Sequence, residues 1–124
     1  MSWNNRDVTM RFKEKFKIFG KEIELLVDTG SEVSVIKKET AEMLGIKTIK
    51  EGIVELESGI LGTKIIGERA YILVELNGCK TDALITVADV RDEVIGADFL
   101  EQIAADIDME KLKVMPRKCE PFKI

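Results

Sequence analysis

Residues 25–36, Leu-Leu-Val-Asp-Thr-Gly-Ser-Glu-Val-Ser-Val-Ile, limit the folds open to this chain more than any other stretch. Leu25, Leu26 and Val27 form an apolar run of the kind buried on both faces of a sheet. It leads straight into Asp28, Thr29, Gly30 and Ser31, all common turn formers. Val33, Val35 and Ile36 then resume apolar, β-branched chain. A turn set between two buried runs places a carboxylate at the edge of a core. Gly30 permits close backbone approach there, and Thr29 and Ser31 supply hydroxyls that can hold the carboxylate and the neighbouring backbone. A bare Asp-Thr-Gly triplet reads as a surface turn, but a surface turn does not need these apolar flanks.

The rest of the chain is a series of short strands. Met10 to Ile18 alternates, with Met10, Phe12, Glu14, Phe16 and Ile18 on one face and Arg11, Lys13, Lys15 and Lys17 on the other, as in a half-buried strand. Phe19-Gly20-Lys21 is a turn, and Glu22 to Val27 is a second strand. Lys38 to Leu44 predicts a short helix ended by Gly45. Ile53 to Leu56 is a strand, Glu57-Ser58-Gly59 a turn, and Arg69 to Leu76 a long strand. Asn77-Gly78 is a hairpin signal, and Cys79 to Val87 returns. After a charged loop, Ala88 to Glu93, Val94-Ile95-Gly96 precedes a helix over about Ala97 to Ala105, where Asp98 and Glu101 have the spacing of a capping box. Ala105 to Val114 predicts one or two strands about a turn at Glu110-Lys111. The tail from Met115, with Pro116 and Pro121, reads as irregular. The expectation is a mainly β domain spanning 1–124, closed or sandwich-like, with its core over about 10–114 and a C-terminal tail at 115–124.

Composition removes several function classes. The chain of 124 residues is 45% hydrophobic and 34% charged, which suits one globular domain. It has no histidine, so Ser-His and Cys-His nucleophilic catalysis and histidine-ligated zinc are excluded. Hydrolytic chemistry would rest on carboxylates, lysine or serine. The net charge of −4 argues against nucleic acid as a partner. No apolar run approaches the roughly 18 residues of a membrane span. The start, Met1 to Lys15, lacks the apolar centre of a signal peptide, so a cytoplasmic location is expected. Cys79 and Cys119 are too few for a disulfide framework and have no metal-type spacing, so two free thiols are expected.

Asp28-Thr29-Gly30 in its apolar frame resembles the active-site motif of aspartic peptidases, and Ser34-Val35-Ile36 resembles its continuation in retropepsin-like members. Downstream, Val94-Ile95-Gly96-Ala97-Asp98-Phe99-Leu100 is similar to the family element in which two apolar residues and a glycine lead into a helix. The resemblance spans roughly Met10 to Val114. It implies a closed acid-protease β-barrel with one or two short helices, in which the glycine strand threads beneath the catalytic loop. One motif in a chain of this length implies a homodimer, with Asp28 and its symmetry mate meeting on a two-fold axis. Two adjacent carboxylates then share a proton and activate water between them. The resemblance implies that Thr29 hydrogen-bonds across the axis and that Gly30 and Ser31 help bind an extended peptide or protein substrate. It implies no metal and no cofactor, and neither nucleic acid nor membrane is a partner.

A flap is expected within Leu56 to Gly67, with Ser58, Gly59, Ile60, Leu61 and Gly62 at its tip and an ordinary hairpin as the other reading. The resemblance implies that Val94 lines the cleft, with plain core as its alternative. Asp98 is read as a helix cap, and Asp106 and Asp108 as solvated. Two departures stand out. Glu32 occupies a position used by retroviral members in a dimer-stabilising ion network, and Ala97 replaces the arginine of that network, so the dimer would be held differently. The leading function is thus an aspartic endopeptidase. The alternatives are a catalytically silent dimeric peptide-binding or scaffold domain of the same fold, and an unrelated β-barrel binding domain.

Overall fold

The alternating segment at the start becomes β1 (Arg11–Ile18), with Phe12, Phe16 and Ile18 buried and its lysines exposed. It turns at Phe19-Gly20, both with positive φ, into β2 (Lys21–Asp28). The computed structural model describes residues 9–58 and 63–119. Strand β3 (Val35–Lys37) leads into α1 (Lys38–Leu44), followed by β4 (Ile49–Ser58), β5 (Thr63–Leu76), β6 (Cys79–Ala88) and β7 (Val94–Ile95). Helix α2 (Ala97–Gln102), β8 (Asp106–Asp108) and β9 (Lys113–Met115) complete the order. The helix α1 has the bounds its sequence predicts. Gly45 ends it at φ 74°, its N–H and that of Ile46 taking up the carbonyls of Glu42 and Ala41.

Seven strands form one sheet in the order β1-β2-β7-β3-β6-β5-β4. A further pairing of Lys17 and Ile18 with Glu75 and Val74 joins β1 to β5, so the sheet returns on itself. Asn77-Gly78 makes the tight turn between β5 and β6, with φ of 48° and 80°. Strands β8 and β9 form a separate two-stranded ribbon. The fold is mainly β, as expected. Strands β4 and β5 run longer than the sequence suggests, because cross-strand pairing from Ile53↔Glu68 to Ser58↔Thr63 continues through Gly67.

The interior is held by Phe16, Ile18, Val27, Ile36, Ile72, Ile85, Phe99, Leu100 and Ile103, all 1% exposed or less. Burying one such side chain contributes on the order of 1.5–3 kcal/mol. Phe99 of α2 meets Phe16 of β1 edge to face at 5.9 Å, so the helix closes the core against the first strand. Gln102 anchors the same helix to β6: its amide accepts from Leu84 N–H (2.6 Å) and donates to Leu84 C=O (2.8 Å). The side chain thereby does for Leu84 what a neighbouring strand would.

Four local expectations are corrected. Leu25-Leu26-Val27 is not buried throughout, since Leu26 is half-buried and points away from the core between two buried neighbours. Helix α2 ends at Gln102 rather than Ala105. Its N-cap is Gly96, so Asp98 lies in the first turn and is not the cap of a capping box. Finally, Cys79 and Cys119 are not free thiols: they form a disulfide with a Cα–Cα separation of 5.2 Å. It ties the C-terminal segment to the start of β6. Asn77 Nδ2 adds a bond to Val114 C=O (2.6 Å) at the same place, and Glu14 accepts Val114 N–H (3.1 Å).

Candidate active site

Strand β2 ends at Asp28, and the core ends with it: Val27 is fully buried while the Asp28 side chain is 13% exposed. Two backbone bonds shape the turn that follows. Gly30 N–H donates to Asp28 Oδ1 (2.9 Å), and Ser31 N–H donates to Asp28 C=O (3.1 Å). The carboxylate is thus aimed by its own turn. Thr29 is locked to the residue before β1, donating its N–H to Met10 C=O (3.0 Å) and accepting Met10 N–H on Oγ1 (2.8 Å).

Strand β7 passes beneath this turn. Leu26 and Val27 pair in parallel with Val94 and Ile95, while Val35 pairs with Val94 from the other side. Gly96 then lies so close to the loop that a Cβ there would sit 2.5 Å from Ser31 O and 2.9 Å from Val33 O. Ala97 N–H donates to Ser31 C=O (2.7 Å) and Asp98 N–H to Glu32 C=O (3.2 Å). The two apolar residues and glycine read from the sequence therefore form the floor on which the Asp28 turn rests.

Above the floor is an open cleft of about 520 Å³, lined among others by Arg11, Leu26, Asp28, Ser31, Lys37, Arg91 and Val94. Half-buried Val94 lies on the cleft wall. The structure therefore brings Asp28, Thr29, Gly30, Ser31 and Val94 together. Ser58 ends β4, where its backbone pairs with Thr63. Gly59, Ile60, Leu61 and Gly62, the rest of the expected flap tip, lie outside the described residues.

Two further contacts belong to the site. Arg11 Nε reaches Asp28 Oδ2 at 3.1 Å, with the arginine side chain 71% exposed. The sequence held the signal for this pair. A two-residue turn at Phe19-Gly20 sets Arg11 directly opposite Asp28, and their Cα atoms are partners. The second contact is Asp98 Oδ1, which accepts from Ser34 N–H (2.8 Å) and Ser34 O–H (2.6 Å). Asp106 pairs with Arg117 (3.2 Å), and Asp108 accepts the N–H groups of Glu110 and Lys111 in the β8–β9 turn. Among the described residues no cluster of acidic or cysteine side chains is set to hold a metal ion, and no helix is long and apolar enough to cross a membrane.

An aspartate at the end of a core strand, on a turn underpinned by a glycine strand, defines the retropepsin-like class of acid-protease folds. Residues 15–99 match the family described as aspartyl protease, and the chain belongs to that family. Many solved structures share its fold, and two serve as examples. One is the EIAV protease complexed with the inhibitor HBY-793, at 19% identity and a TM-score of 0.63, covering 81% of this chain and 94% of that one. The other is the retroviral protease-like domain of Ddi1 from Leishmania major, at 24% identity and a TM-score of 0.65, covering 89% and 90%. No curated protein matches the sequence.

Proposed function

We propose that two copies of this chain form an aspartic endopeptidase that cuts extended polypeptide between their paired Asp28 carboxylates. The observation that carries this reading is the setting of Asp28. It sits at the rim of an open cleft, aimed by Gly30 N–H and supported from below by Gly96. A single chain offers one such carboxylate, so a two-fold axis through the turn supplies the second automatically. Thr29 Oγ1 already accepts Met10 N–H, which leaves its hydroxyl hydrogen to donate to the other subunit.

Two carboxylates held close do not both ionise cheaply, so the pair shares one proton. The ionised member takes a proton from water as the oxygen attacks the peptide carbonyl carbon. The protonated member gives its proton to the carbonyl oxygen, forming a neutral gem-diol. Collapse returns a hydroxyl proton to one carboxylate while the other protonates the departing nitrogen, and the C–N bond breaks to acid and amine. Substrate lies along the cleft as an extended strand, with Gly30 and Ser31 offering backbone groups and Leu26 and Val94 apolar wall.

A second reading is a silent dimeric peptide-binding domain. Its support is that within one chain both Asp28 oxygens have partners, Gly30 N–H and Arg11. Incubation with denatured casein from acidic to neutral pH separates the two, beside Asp28→Asn and a hydroxyl-bearing transition-state mimic. Cleavage lost in the variant and blocked by the mimic supports the peptidase. A well-folded dimer that cuts nothing supports the silent domain. A protein that sediments as a monomer at high concentration refutes the shared site.

A further inference from the structure

Behind the Asp28–Ser31 turn lies a polar knot that the cleavage chemistry does not use. Ser34 is fully buried although polar. Its Oγ accepts Gly96 N–H (2.7 Å) and donates to Asp98 Oδ1 (2.6 Å), and its N–H donates to the same oxygen (2.8 Å). Phe99 N–H completes the set on Oδ1 at 2.7 Å. A carboxylate oxygen only accepts, so three donors can converge on it without conflict. Asp98 lies in the first turn of α2, yet most of its carboxylate bonding reaches a residue 64 positions earlier in the chain.

Those bonds continue to the site. Ser31, Glu32 and Ser34 are each fastened to the start of α2: Ser31 by Ala97 N–H, Glu32 by Asp98 N–H, and Ser34 by the Asp98 carboxylate. Ser31 N–H in turn holds Asp28 C=O, and Gly30 N–H holds Asp28 Oδ1. We propose that Asp98 is a positioning residue for Asp28: through Ser34 and the 31–34 loop, it fixes the turn that aims the carboxylate. This rests on the peptidase reading of Asp28. The cap assigned to Asp98 from sequence would act only on α2, whereas here the helix serves as a fixed post for the loop. Displacing a catalytic group by an ångström costs about a hundredfold in rate, so a loop released from its post should lose kcat.

The test compares Asp98→Ala, Ser34→Ala and Asp98→Asn in the dimeric protein, using a peptide that the unaltered protein cuts and the hydrogen-exchange rates of the Gly30 and Ser31 amides. Asp98→Ala and Ser34→Ala should each lower kcat about ten- to a hundredfold, with KM moving less than about threefold. The Gly30 and Ser31 amides should exchange about tenfold faster or more. Asp98→Asn keeps an acceptor oxygen at the same place and should recover both readouts. The double alanine variant should be no worse than either single one, because both cut the same tie. Folded alanine variants with unchanged kcat and unchanged Gly30 and Ser31 exchange overturn the proposal. If the alanine variants do not fold, Asp98→Ser, too short to reach Ser34, is judged by the same criteria. The exchange measurement needs no activity. A protein with no Asp28-dependent cleavage therefore refutes the peptidase reading, while the two amides still decide the positioning role.

Discussion

Gly96→Ala probes the floor of the site with a single methyl group. Gly96 has φ −114° and ψ −167°, extended backbone that alanine adopts freely, so no torsional penalty arises. The penalty is steric. The new Cβ would lie 2.5 Å from Ser31 O and 2.9 Å from Val33 O, where an ordinary contact needs about 3.4 Å or more. Relief requires the loop and the β7 strand to part by most of an ångström. That movement pulls against the 2.7 Å bond from Ala97 N–H to Ser31 C=O and the 2.7 Å bond from Gly96 N–H to Ser34 Oγ. Overpacking costs about 1–3 kcal/mol, and a buried bond left unmade costs about 1–3 kcal/mol. The expected loss is therefore about 2–6 kcal/mol in urea unfolding, seen as a lower midpoint with an unchanged slope. Asp28 should move with its turn, so any remaining folded protein should cleave about a hundredfold more slowly. Gly20→Ala is the control. Its φ of 79° strains alanine, but nothing lies within 4 Å, so a loss of only about 1 kcal/mol and full activity are expected. A Gly96→Ala protein within about 0.5 kcal/mol of the parent would refute the close-approach argument.

Three other outcomes follow from the geometry. Reducing the Cys79–Cys119 disulfide, which spans a separation of 40 residues, should remove up to about 4 kcal/mol by the chain-entropy relation; equal melting temperatures with and without reductant would contradict it. Arg11→Ala should change stability by less than about 1 kcal/mol, because the arginine is 71% exposed; a urea-measured loss above about 2 kcal/mol would mean that the pair is a structural tie. Asp108 should titrate below the ordinary value of 3.8, chiefly because Lys111 N–H donates to it. Its folded value being the lower one, its contribution to stability is present above pH 3.8 and disappears as the pH falls through the depressed value; an NMR midpoint at or above 3.8 would refute this.

Much of the local structure was legible because its causes lie within a few residues. The alternation of Phe12, Phe16 and Ile18 set the inward face of β1, Gly45 ended α1 through a left-handed cap, and Asn77-Gly78 turned one long strand back on another. Asp28-Thr29-Gly30 announced the site in the same way, since a turn embedded in apolar chain is a local contradiction that a buried-edge carboxylate resolves. The partners of these groups were harder to read. The spacing of Asp98 to Glu101 is a local signal that reads as a cap, whereas its bonds to Ser34 depend on where the chain passes far from it in sequence.

By itself, then, the amino-acid order determined the strands, the turns, the need for a carboxylate at the end of β2 and, through the absence of histidine, the kind of chemistry open to it. Tertiary structure alone decided that β7 runs under the Asp28 turn and that Cys79 meets Cys119. It also decided that Leu26 faces a cleft while its neighbours face the core. The physical reason is the range of the interactions. Backbone torsion and hydrophobic period act over a few residues, while parallel pairing, close glycine contact and cross-chain bonds appear only once distant segments have been packed together.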